Sequence, residues 1–111
     1  MRNPPSLRSG RDFRRVLERG KRAGVGGLTT AALANARPKE PARLGLAVRS
    51  KRGAVARNRV KRRLRAAFRQ LGTVDGYDVV VRADDGILSK EYGVLVEDLR
   101  VALGRATRSR P

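Results

Sequence analysis

Histidine, cysteine and tryptophan are absent from this chain of 111 residues, and only Phe13, Phe68, Tyr77 and Tyr92 are aromatic. Without His or Cys there is no conventional zinc site. The commonest general base and the thiol nucleophile are excluded as well. Any surface that stacks nucleic-acid bases has few rings to use. No cysteine also means no disulfide framework, so the redox compartment is unconstrained. No apolar run approaches the roughly 18 residues of a membrane span. The N-terminus lacks an apolar signal-peptide region, which leaves the cytoplasm as the expected location. Acid is scarce too, with none between Glu40 and Asp75.

What fills that gap is positive charge. The chain has 27 Lys and Arg against 10 Asp and Glu, a net charge of +17. A balance of this kind points to nucleic acid first and an anionic membrane second. The basic residues concentrate between Arg49 and Arg69, around the string Arg57-Asn58-Arg59-Val60-Lys61-Arg62-Arg63-Leu64-Arg65. Val60, Leu64, Ala67, Phe68 and Leu71 recur at the spacing of one helix face. The charge is therefore displayed on a folded helix and not on a loose tail. A helical wheel puts Asn58, Arg59, Arg62, Arg65 and Arg69 opposite the apolar stripe, with Lys61 at the boundary. Arg57 falls over the apolar side, where it must snorkel unless the first turn is irregular. An ordinary solvated helix face mixes charge signs, and this one does not.

The length suits one domain over residues 1–111, and 40% apolar residues suffice for a modest core. Residues 1–8 and 105–111 are expected to be flexible. Ser9 and Asp12 are spaced as N-cap and N3 of a first helix over residues 10–19, stopped by Gly20. Residues 21–27 are Gly-rich and suit a short irregular edge strand. Leu28 to Ala34 and Arg43 to Val48 read as strands joined by a loop containing Pro38 and Pro41, and an antiparallel hairpin is expected between them. A second helix runs from Ala54 to Leu71, between Gly53 and Gly72. Tyr77 to Ala83 is a buried strand. Ser89 is expected to cap a third helix with the stripe Tyr92, Leu95, Val96, Leu99, Ala102 and Leu103, fraying past Gly104.

Several residues carry two readings. Gly53 either lets the backbone at the head of the second helix approach a phosphate or simply turns strand into helix. Phe13, Tyr77 and Tyr92 read more readily as core than as stacking platforms. Asp84 and Asp85 read as a turn, since a metal pair would need a further acid such as Asp78 to converge on them.

The element order is helix, strand, strand, basic helix, strand, helix. With the string Lys51, Gly53, Ala54, Val55, Arg57-Asn58-Arg59, Lys61-Arg62 and Arg65, it resembles the protein subunit of bacterial ribonuclease P. Asp12-Phe13-Arg14-Arg15-Val16 with Gly20, and Tyr77-Asp78-Val79-Val80-Val81-Arg82, are further points of resemblance, which covers about residues 7–103. It implies an α+β fold, a single-domain α-β sandwich like the second domain of ribosomal protein S5, with a left-handed crossover around the second helix. It implies assembly with a catalytic RNA that removes the 5′ leader of precursor tRNA, using magnesium ions held by that RNA. No catalytic residue is then expected in the protein, and no cofactor or metal site is assigned to it. Lys51, Arg52, Arg57, Asn58, Arg59, Lys61, Arg62, Arg65 and Arg69 are implied RNA contacts. Phe13, Leu17 and Lys61 are implied to line a cleft for the single-stranded leader. Leu17 stands where the family often has a second aromatic, and the strand 28–34 lacks another, so the stacking surface is thin. Other readings are a small basic ribosomal protein, a DNA-binding regulator and a free-standing nuclease using the aspartates. The regulator lacks an obvious paired helix, and neither DNA nor a membrane is expected as partner.

Overall fold

The computed structural model describes residues 4–72 and 74–107. Helix α1 spans Gly10–Arg19, followed by strands β1 (Lys21–Val25), β2 (Leu28–Ala34) and β3 (Arg43–Arg49). Helix α2 (Ala54–Leu71), strand β4 (Tyr77–Asp84), a 3-10 helix (Asp85–Ser89) and helix α3 (Tyr92–Thr107) complete the chain. The four strands form one sheet in the order β1-β2-β4-β3.

Local chemistry explains the helix ends. Ser9 caps α1 by accepting a hydrogen bond from the Arg11 N–H at 3.2 Å. At the other end the Gly20 N–H reaches the Val16 carbonyl at 2.7 Å. A side chain at Gly20 would collide with the backbone oxygens of Val16 and Ala32, so the tight exit requires glycine. Helix α2 is bracketed by Gly53 (φ 93°) and Gly72 (φ 86°), both in the left-handed region where glycine costs least. Its buried stripe is Ala56, Val60, Leu64, Ala67 and Phe68.

The expected hairpin between residues 28–34 and 43–48 does not form. The hairpin is β1–β2, closed by the pair Val25 and Leu28 around Gly26 and Gly27. Both glycines have positive φ, as the tightest two-residue hairpin turn demands. β2 then pairs antiparallel with β4, and β3 pairs parallel with β4. The reason lies in residues 35–42. Asn35 donates to the Gly76 carbonyl and Gly76 to the Glu40 carbonyl, so this loop wraps the start of β4. One strand's width is left between β2 and β3, and the Val79-Val80-Val81 strand fills it. The long connection that a parallel pair requires is supplied by α2.

Two further expectations change. Ser89 does not cap α3; it lies in the 3-10 helix, where its hydroxyl donates to the Gly86 carbonyl. α3 starts three residues beyond it, at Tyr92, and does not fray at Gly104. Ala106 is buried, and Tyr77 Oη donates to the Thr107 carbonyl at 3.1 Å. Of residues 1–8, expected to be flexible, the described part packs against the sheet. Leu44 N–H donates to the Pro5 carbonyl and Leu7 N–H to the Leu44 carbonyl, which lays this segment along β3 and buries Leu7. Residues 1–3 and 108–111 lie outside the described residues.

Side chains alternate between the sheet faces. Leu28, Ala32, Leu44, Val79, Val81 and Ala83 join α2 and α3 in the main core. Ala31 and Val80 face the other way and join Val16 of α1 and Leu7 in a smaller cluster. Among the described residues no helix is long and apolar enough to cross a membrane.

Candidate nucleic-acid interface

The outer face of α2 presents Arg57, Asn58, Arg59, Arg62 and Arg65 to solvent, with Lys61 and Arg69 half-buried at its flanks. Arg57 is exposed although α2 is regular there, its N–H bonding to the Gly53 carbonyl at 3.1 Å. In the first turn only Ala56 is buried, so neither snorkelling nor an irregular turn is needed for Arg57. Val55 in the same turn is 70% exposed, which places an apolar contact beside the arginines. No acidic residue occupies the first turn.

Arg63, a member of the basic string, has a different task. Its guanidinium donates to the carbonyls of Ile87 at 2.6 Å and Lys90 at 2.8 Å and lies over the Tyr92 ring. It clamps α2 to the chain entering α3. The basic face is therefore held in a fixed orientation from behind.

Lys51 and Arg52 are exposed in the loop before α2. That loop is tethered through Asp85, whose carboxylate accepts from Ser50 Oγ at 2.9 Å and from the Lys51 N–H at 3.0 Å. The Ser50 hydrogen bond is the chief reason that Asp85 titrates below the ordinary carboxylate value; the Lys51 N–H and the Arg52 charge add to it. Asp84 accepts the Gly86 N–H and opens the 3-10 helix. Both aspartates thus take turn roles. Gly53 has open space around it, and its positive φ alone accounts for glycine.

On the opposite sheet face, α1 is set by a knot of charge. Asp78 is fully buried. Arg43 grips it with two hydrogen bonds of 2.9 and 2.8 Å, and Arg15 and Asn35 each add one of 2.9 Å. Burial pushes the Asp78 carboxyl up. The hydrogen bonds from Arg43 and Asn35, with the charges of Arg43 and Arg15, outweigh burial and hold it below the ordinary value. Because Arg15 sits on α1 and Arg43 on β3, the knot fixes the spacing of helix and sheet.

The far end of the Phe13 ring abuts β3 at Gly45. A Cβ at Gly45 would come within 2.6 Å of its ring, so the missing side chain is what seats the aromatic. Phe13 lines one hollow with Arg8, Leu46, Lys61 and Arg65. Lys61 and Arg65 of α2 thus share a hollow with Phe13 of α1. Leu17 lies one turn further along α1 and lines a second hollow, with Thr29, Ala47, Arg49 and Arg82. Sequence reasoning did not single out Arg49 or Arg82. The signal was the alternation Asp78, Val80, Arg82, which puts Arg82 on the α1 face once that face is known.

This geometry defines a class: a small α+β domain that offers a rigid basic helix to a polyanion and a groove beside it. Known proteins narrow the class. The family model for ribonuclease P matches residues 1–107. The ribonuclease P protein component of Gluconacetobacter diazotrophicus is 38% identical over 104 residues, covering 90% of this chain and 89% of that one. That of Clavibacter michiganensis subsp. michiganensis is 35% identical, covering 91% of each. Among solved structures, the RNase P protein from Thermotoga maritima superimposes with a TM-score of 0.75 at 26% identity, covering 96% of this chain and 98% of the other. The Staphylococcus aureus RNase P protein shares the fold, with a TM-score of 0.76 at 23% identity, covering 92% of this chain and 94% of the other. The chain belongs to the ribonuclease P protein family, and that membership decides against the ribosomal, regulatory and free-standing nuclease readings.

Proposed function

We propose that this chain is the protein subunit of a ribonuclease P holoenzyme that removes the 5′ leader from precursor tRNA. The observation that carries the reading is the acid-free face of α2, held rigidly by Arg63 and Asp85 and continuous with the hollow at Phe13. The RNA subunit performs the hydrolysis with magnesium ions that it holds itself. The protein supplies binding. Lys51, Arg52, Arg57, Asn58, Arg59, Arg62, Arg65 and Arg69 contact the catalytic RNA, chiefly through phosphates. Lys61 joins that face to the groove, where Phe13 and Leu17 form the wall against which the single-stranded leader runs. A basic groove with a stacking ring is how single strands are commonly held.

Reconstitution tests this. The protein mixed with a bacterial ribonuclease P RNA raises cleavage of a 5′-extended tRNA at low magnesium, because Lys and Arg replace part of the screening that magnesium gives. The protein alone leaves the substrate intact. Site-specific cleavage by nuclease-free protein without RNA, or no effect on the RNA's cleavage, would overturn the assignment.

A further inference from the structure

The groove between α1 and the sheet has two electrostatically different ends. At one end the buried charge is answered: Asp78 is shared by Arg43, Arg15 and Asn35. At the other, Arg82 and Arg49 are exposed and line the hollow beside Leu17. The carboxylate there, Asp84, accepts the Gly86 N–H. Among the described residues neither arginine forms an ion pair.

Arg82 is an unusual place for a lone cation. β4 is a central strand with both edges paired, so the charge is not needed to protect a free edge. Arg82 lies in register with Thr29 on β2 and Ala47 on β3, both small, so nothing covers it. The position combines a cation, a floor of small residues and one apolar wall at Leu17.

We propose that Arg82 and Arg49 form a phosphate seat in this groove, which holds the leader backbone beyond the opening at Phe13 and Lys61. The inference rests on the leader reading above. Wall and floor advance in step. One turn of α1 from Phe13 to Leu17 is about 6 Å. Two residues of β3, from Gly45 under Phe13 to Ala47 beside Arg82, are about 7 Å. A strand entering at Phe13 meets Arg82 next. No aromatic lines this second hollow, so it grips phosphate and not base, and its contribution is insensitive to leader sequence.

The test uses the reconstituted holoenzyme, mature tRNA and precursors whose leaders lengthen one nucleotide at a time. Arg82→Ala, Arg49→Ala, the double variant and Arg82→Lys are compared with wild type. Arg37→Ala, in the exposed loop at the opposite end, controls for loss of a charge alone. The double variant binds long-leader precursors about fivefold more weakly and mature tRNA or the shortest leaders normally. Its log–log salt slope for long leaders falls by about 0.7 per arginine, the value for single strands. Arg82→Lys keeps most of the affinity, Arg37→Ala changes nothing, and melting is unaltered. A double variant that retains the full gain with leader length, or that weakens mature tRNA equally, overturns the seat while leaving the leader reading in place. A wild-type enzyme whose affinity ignores the leader defeats the leader reading and the seat with it.

Discussion

Among the described residues, 17 buried apolar residues form one continuous core on the face of the sheet covered by α2 and α3; on the face covered by α1 there are four. The same strands build both. β4 sends Val79, Val81 and Ala83 to the large core and Asp78, Val80 and Arg82 to the other side. The first face is where apolar burial stabilises the domain, each fully buried aliphatic side chain contributing about 1.5–3 kcal/mol. The second holds α1 by a buried ion network at one end and leaves a groove at the other. Separating the two tasks lets one face lose apolar area to a binding site without dissolving the fold. Substitutions can break or sharpen this contrast.

The largest effect on binding is expected where binding is not coupled to folding at all. Arg59, Arg62 and Arg65 are exposed on α2, and none belongs to its buried stripe. Replacing all three with Ala leaves the melting curve unchanged and lowers the log–log salt slope for catalytic RNA by about 0.7–0.9 per lost contact. At physiological salt that amounts to a loss on the order of a hundredfold in affinity. Titration of the RNA at several salt concentrations measures it, and an unchanged slope would show that another surface docks.

Asp78→Asn attacks the α1 face through its stability. Removing one member of a buried charge network costs about 3–5 kcal/mol. Here the lower end is expected, because Arg15 and Arg43 are partly exposed and water can take up their charge. The linkage has a definite sign. The folded carboxyl titrates below its unfolded value. Its stabilisation is therefore complete above the unfolded carboxylate value and is lost as pH falls through the depressed one. Denaturant unfolding at neutral and acid pH should show wild type converging on Asp78→Asn only in that acid window. A constant gap down to the lowest pH would mean that shape, and not charge, holds α1.

Phe13→Ala sits between the two tasks. The ring is half-buried on Gly45, so part of its worth is packing. Leader-bearing substrate should weaken by about 1–3 kcal/mol, the value of one stacked base, with mature tRNA unaffected. The stability loss should fall short of the roughly 3–5 kcal/mol of a core Phe. Equal weakening of both tRNAs with a full core-sized loss would place Phe13 in the fold alone.

How much of this was legible depended on the range of the forces involved. The ends of α1 and α2 were readable because Ser9, Gly20, Gly53 and Gly72 act on their own neighbours. The α2 stripe followed from periodicity. Strand pairing was not readable, because insertion of β4 between β2 and β3 depends on residues 35–42 reaching Gly76, a contact invisible to local pattern. Gly26-Gly27 did carry a hairpin signal, though the loose glycine content around it suggested irregularity. Ser89 had the right chemistry for a cap, but the 3-10 helix took it. Leu7 looked like part of a tail because its partner, Leu44, is far along the chain. The α2 part of the candidate site was legible for the same local reasons. A groove lined by Phe13, Leu17 and Lys61 came only with the family resemblance, and its floor was not legible at all: Gly45, Arg49 and Arg82 become neighbours only through the β3–β4 register.

The smallest predicted effect tests whether the large core is as dry as its composition suggests. Thr30 is fully buried on that face, and its hydroxyl has no hydrogen-bond partner among the described residues. It lies in register with Ala23 and Val81, which offer no polar side chain. An unsatisfied buried hydroxyl costs about 1–3 kcal/mol, while an apolar group of the same shape costs nothing comparable. Thr30→Val keeps the branching and the β preference and removes only the polarity. The variant should therefore gain about 1 kcal/mol in denaturant unfolding, with RNA affinity and leader discrimination unchanged because neither basic surface is touched. A loss of stability instead would reveal a partner for the hydroxyl, such as a buried water, and the α2–α3 face would then not be the purely apolar half of the contrast.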